Sequence, residues 1–272
     1  MIDNLHLESR AATDRELLDG VTTAVANAAQ VLLERFSAAN RVDGPRALID
    51  AIDANDAASI AVLRPALERL RPGARWDDDE EGHGALGPGE WWVTDAAEGN
   101  VNHVHGSPNW GVTATLVRDE VPVLTAVVLP ALGQVFTAVR GDGARLDGTP
   151  IRVSAKTDLV AALVGTGQAK PGEAPEIRRR MSGSIDRVLD AALLVSASVP
   201  ATVQLVQVAA GHVDGFWQFG QVRSGLVAGA LLVEEAGGAV IDTNGAPWTL
   251  ASDDFVAAAP GLAPSLAAVL AR

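Results

Sequence analysis

A chain of 272 residues, 48% of them apolar, is long enough to bury one large core or two joined lobes and too apolar to stay disordered. Its net charge of −13 argues against nucleic acid and anionic membranes as partners, because a phosphate backbone is held through clustered Lys and Arg. The absence of cysteine excludes disulfides, thiolate metal sites and cysteine nucleophiles together.

The opening residues, MIDNLHLESRAATDREL, are polar and acidic and lack the basic start and apolar run of a secretion signal, so the expected location is the cytoplasm. No apolar run approaches the ~20 residues of a membrane helix. From Thr13 to Ala38, Leu17, Leu18, Val21, Val25, Ala28, Val31, Leu32 and Phe36 recur at three and four, predicting a long first helix. A second is expected from about Asn55 to Leu70, opened by the cap-type Asn55 and Asp56 and kinked at Pro65. After the acidic loop RWDDDEEGHGALGPGE come β-like runs at Trp91–Thr94, Trp110–Leu116, Val121–Leu129 and Gln134–Arg140, separated by short turns, which predict an antiparallel meander. The turn-rich RGDGARLDGTPIRVS closes this lobe near residue 150, giving an α+β lobe over 1–150 and an α/β lobe over 151–272. In the second lobe, ATVQLVQVAAGHVDGFW reads as helix then strand, and GLVAGALLVEEAGGAVID as helix, glycine stop and strand.

The stretch WWVTDAAEGNVNHVHGSPNWG places Asp95 and Glu98 three residues apart in a turn between apolar runs, where both carboxylates can point to one side, as a hard cation requires. An isolated pair of this kind is more often a solvated acidic turn. This turn, with LPALGQVFTAVRGDGARLDGTPIRVS and HVDGFWQF…GLVAGALLVEEAGGAVIDTNGAPWTLAS, resembles the inositol monophosphatase family from about Asp50 to the C-terminus. The resemblance implies a layered αβαβα sandwich of two joined lobes, commonly homodimeric, that hydrolyses small phosphate monoesters with Mg²⁺. It implies metal ligation by Glu80, Asp95, the carbonyl of Ala97, and Glu98 at the place of the family's second aspartate. Asp56 matches the acid that supports the family's water-activating threonine, and Gly99, Asn100, Ala201 and Gln218 fall at substrate positions.

The departures fall on the functional residues. Glu98 carries one methylene more than the family's aspartate, and Asn100 replaces a hydroxyl with an amide that cannot relay a proton. Ser224 and Gly225 stand where the family has Trp-Asp, so one metal ligand is missing. Arg223 is expected near the vacated position, where a guanidinium could meet an anionic group in place of metal charge. His103 replaces an aromatic residue and is either a general acid or base or a packed ring. The expected function is a repurposed small-molecule enzyme doing metal-independent acid/base chemistry such as rearrangement, elimination or cyclisation, with two alternatives: a phosphatase with a loosened site and one weak Mg²⁺, and a silent binding or regulatory protein. In each the expected partner is an anionic or polyol-like small molecule.

Overall fold

Two helices precede the first strand. α1 (Ile2–Arg35) sets Val21, Val25, Ala28 and Leu32 on one buried face, and α2 (Pro45–Leu70) lays Leu63 and Leu67 beside them. The computed structural model describes residues 2–79, 82, 84–169, 172–220 and 222–271, with side chains from residue 13 onward. α2 starts well before Asn55: Gly44, at φ 94°, turns the chain, and Pro45 has the fixed φ that suits a first helical residue. Asn55 and Asp56 therefore lie inside the helix rather than capping it. Pro65 is absorbed without a break because it lies on the exposed face, where water replaces the lost N–H bond.

The meander forms, with additions at both edges. β1 (Arg75–Trp76), β2 (Glu90–Glu98), β3 (Gly111–Arg118), β4 (Val121–Leu129), β5 (Gln134–Val139), β6 (Gly143–Leu146) and β7 (Thr149–Pro150) lie in chain order, antiparallel except β1 on β2, and the short α3 (Asn100–Val104) follows β2. The second half continues with β8 (Leu163–Thr166), α4 (Pro175–Ala191), β9 (Leu194–Ala197), α5 (Ala201–Ala209), β10 (Gly215–Phe219), α6 (Arg223–Glu235), β11 (Ala239–Ile241), β12 (Asp254–Ala258) and α7 (Ala263–Leu270). Its sheet has the order β11-β12-β10-β8-β9, parallel between β10, β8 and β9 and antiparallel at β12.

These elements stack as helix, sheet, helix, sheet, helix. α1 and α2 cover the outer face of the first sheet around Trp92, Trp110 and Leu124. α5 and α6 fill the middle, where Val127, Leu129 and Phe136 of the first sheet and Phe216 and Phe255 of the second share one core with Leu205, Leu226 and Leu231. α4 and α7 close the far side around Trp217 and Leu266. α5 and α6 approach closely, since a Cβ on Gly229 would fall 2.4 Å from Leu205. At the start of β2, Glu90 accepts bonds from Arg71 and Arg118, which hold its carboxyl down to about 2. The strand that carries the candidate acids is thereby anchored at its other end. Among the described residues no helix is long and apolar enough to cross a membrane.

Candidate functional site

The two acids sit where β2 leaves its ladder. Between Asp95, opposite Thr113, and Glu98, opposite Gly111, the register shifts, so Ala96 and Ala97 face the single residue Val112. The bulge lets both carboxyls line one cleft. Asp95 Oδ1 accepts from the Ala97 N–H at 3.0 Å, and the Asp95 N–H donates to Thr113 Oγ1 at 3.1 Å. Burial first, then the charge of Glu98 and a hydrogen bond to it, push the Asp95 carboxyl well above the usual range. Without a cation, burial and the neighbouring Glu98 charge thus both oppose ionisation of Asp95.

Gly99 then turns the chain at φ 75°, and a Cβ there would stand 2.9 Å from both Asn109 O and Pro200 Cγ. That close approach seats the segment before α5 on the turn, and Asn102 Nδ2 ties it down by donating to Val199 O at 2.8 Å. Ala201 thereby reaches the cleft.

Asn100 faces α2 and is fully engaged. Its amide nitrogen donates to Asp56 Oδ1 at 2.8 Å and to Ile52 O at 3.1 Å, while its Oδ1 accepts from Asn55 Nδ2 at 2.8 Å. Burial raises the Asp56 carboxyl, and the Asn100 bond offsets part of that. The network thus positions Asp56 but offers no hydroxyl to carry its proton. His103 corrects the acid/base expectation. It is buried, with Nε2 2.9 Å from Leu32 O and Nδ1 3.0 Å from Asn55 Nδ2, and its ring packs edge-on against Trp110 and Phe36. These partners describe a neutral ring that donates from Nε2 and accepts at Nδ1. Burial lowers its pKa accordingly, and it does not line the cleft.

The cleft, about 990 Å³, is lined from both halves of the chain, by Asp95 and Glu98 on one side and by Ala201, Gln218, Ser224 and Gly225 on the other. A Cβ built on Gly225 would meet no atom within 4 Å, so the position of the missing ligand is open space. Arg223 is a second correction. Its guanidinium makes a two-bond ion pair with Asp77 at 2.6 and 2.8 Å and donates to Gly84 O at 2.9 Å, with both charged side chains buried, so it is committed to the protein and does not line the cleft. The Asp77 side chain is buried with it. Arg223 N–H also donates to Gly82 O at 2.9 Å, fastening the acidic loop to the first turn of α6. Glu80, within that loop, lies outside the described residues.

An all-oxygen set of Asp95, Glu98 and the carbonyl of Ala97 has the chemistry of a hard divalent cation, and the mutual charge that raises Asp95 is one that a cation would relieve. Among the described residues no three Asp, Glu or His side chains converge closely enough to hold an ion. The described residues Asp95, Glu98 and Ala97 fit at least one such ion, completed by water. Reasoning from sequence missed Thr113, Asp77, Asn55 and Arg180. Arg180 lines the cleft stacked over Phe219 at 4.0 Å and is held by Asp254 at 2.6 Å. Only Asn55 carried a signal, as the neighbour of Asp56.

A sequence profile described as the inositol monophosphatase family matches residues 13–272. The chain is 33% identical over 220 residues to a protein of Neisseria meningitidis serogroup B named putative Nus factor SuhB, covering 79% of this chain and 82% of that one. It is 30% identical over 242 residues to inositol monophosphatase 2 of Solanum lycopersicum, covering 86% and 90%. Among solved structures, Mycobacterium tuberculosis SuhB superposes with a TM-score of 0.78 at 28% identity, over 95% of this chain and 97% of that one.

Proposed function

Because this chain belongs to the inositol monophosphatase family, we propose that it binds a small polyol phosphate in the cleft and hydrolyses it slowly with a single Mg²⁺. The observation that carries this reading is the buried Asp95–Glu98 pair opening into a cleft lined by both halves of the chain. A bound Mg²⁺ would neutralise phosphate charge and acidify a water. Asp95, Glu98 and the carbonyl of Ala97 would hold it, with Glu80 a further expected ligand. Asp56, fixed by Asn100, would accept a proton less effectively than through a hydroxyl. Gln218 and the backbone at Gly99 and Ala201 would orient the polyol.

A second reading, metal-independent acid/base chemistry, is favoured by the raised carboxyl of Asp95 beside Glu98 in the cleft. Inositol 1-phosphate and sugar phosphates, assayed for phosphate release with and without Mg²⁺, separate the two. The first reading expects slow release that EDTA abolishes. Consumption of substrate without phosphate release, indifferent to EDTA, would favour the second, and no turnover with tight binding would point to a silent binding protein.

We also propose a homodimer, the family's common state, with the large apolar side chains Val160, Leu189 and Leu193, 71%, 56% and 65% exposed, as candidates for the surface a second copy would cover. Sedimentation should give twice the 28.1 kDa chain mass, and Leu193→Asp should return it to the monomer value.

A further inference from the structure

A second cavity, of about 470 Å³, lies at the junction of α1, the loop that follows it and the first half of α2. Arg35, Asn40, Arg41, Ala51, Asn55 and His103 are among its walls, and no carboxylate is. Arg15, Arg46, Arg64, Arg71 and Arg118 each pair with an acid. Among the described residues Arg35 and Arg41 pair with none. They are oriented instead by neutral acceptors, Arg35 Nε on Asn55 Oδ1 at 2.8 Å and Arg41 Nη1 on Ala38 O at 3.1 Å. Arg41 Nη1 also donates to Asn40 O and, at 3.5 Å, to His105 O, so among the described residues the Nη donors of Arg35 and the Nε and Nη2 donors of Arg41 make no hydrogen bond.

We propose that this cavity is a binding site for a tetrahedral oxyanion, the phosphoryl group of a free phosphate or of a small ester, held by Arg35 and Arg41. Guanidinium forks match phosphate oxygens two at a time, and Asn40 adds an amide donor from the loop. The floor is the buried pair Asn55 and His103, both 3% exposed, while Arg35, Asn40 and Arg41 form an exposed rim above it. It also touches the cleft indirectly. Arg35 bonds Asn55, Asn55 bonds Asn100, and Asn100 bonds Asp56, so an anion that draws on Arg35 acts on the far end of the chain that positions Asp56. The site does not depend on the phosphatase reading, since neither a metal nor turnover enters it.

The test is thermal unfolding of the full chain in EDTA at constant ionic strength, titrated with inorganic phosphate and with β-glycerophosphate. A saturable rise in Tm is expected, with the half-effect concentration raised at least tenfold in Arg35→Gln and in Arg41→Gln and unchanged in Arg152→Gln, an exposed arginine outside both cavities. Ala51→Glu, which puts a carboxylate on the cavity wall without removing any bond, should abolish the response. A response to phosphate alone identifies the free ion as the ligand, and a response to both identifies the phosphoryl group. No saturable rise, or a rise that survives both arginine substitutions, overturns the proposal.

Discussion

Gly225→Asp should tighten Mg²⁺ binding about ten- to hundredfold, the scale on which ligand charge and its support tune cation sites. The substitution is unusually well accommodated. A Cβ at this position meets nothing within 4 Å, so the new side chain enters the cleft without displacing a neighbour. The position lies in the first turn of α6, where a carboxylate interacts favourably with the helix dipole. The bond from Thr202 Oγ1 to Gly225 O uses the backbone and survives the change. Calorimetric titration of Mg²⁺ into both proteins reads the effect, with Gly225→Asn as the neutral control. Phosphate release should rise with affinity, though not to the level of a protein that also has the threonine hydroxyl, because Asn100 is unchanged. Equal Mg²⁺ affinity in all three proteins would remove Asp95 and Glu98 from any metal site.

Asp95→Asn should stabilise the metal-free protein while abolishing turnover. Relief of a strained functional site is worth about 1–2 kcal/mol. The pH dependence gives the sign. Asp95 has a folded pKa raised above its unfolded value, so the folded state holds the extra proton between the two values. Metal-free wild type therefore loses stability as pH rises from the ordinary carboxylate range through the raised value. The Asn variant should show a flatter profile, with its advantage greatest at neutral pH and gone in acid. Adding Mg²⁺ should reverse the order at neutral pH by stabilising only the wild type. A variant less stable than wild type at every pH without metal would mean that the pair is not repulsive.

The layered fold was legible because the short apolar runs of β2 to β5 between turns and the three-and-four spacing in α1 are local signals. The start of α2 was not: Asn55 and Asp56 have cap chemistry, and nothing in the residues announces that they are needed inside the helix to hold Asn100 and His103. β1, two residues long, has no period to read. At the site, the vicinity of Asp95 and Glu98 follows from their spacing in one strand end, and Gly225 from its place in the α6 pattern. Arg223 was misread for the opposite reason. Its partner Asp77 is 146 residues away, and no spacing rule connects a helix start to a loop at that separation. His103 had a local clue, an aromatic place filled by an imidazole, and the structure resolves it toward packing.

The shared middle layer has a further consequence for how this chain can be cut or inherited. A fragment ending at residue 150 would keep β2 to β5 yet present Val127, Leu129 and Phe136 bare to water, and its complement would carry α5 and α6 with nothing to lie against. Neither piece has a reason to remain soluble alone. The two lobes are thus not exchangeable modules, and a gene fusion, deletion or frameshift near the seam forfeits the whole molecule rather than half of it.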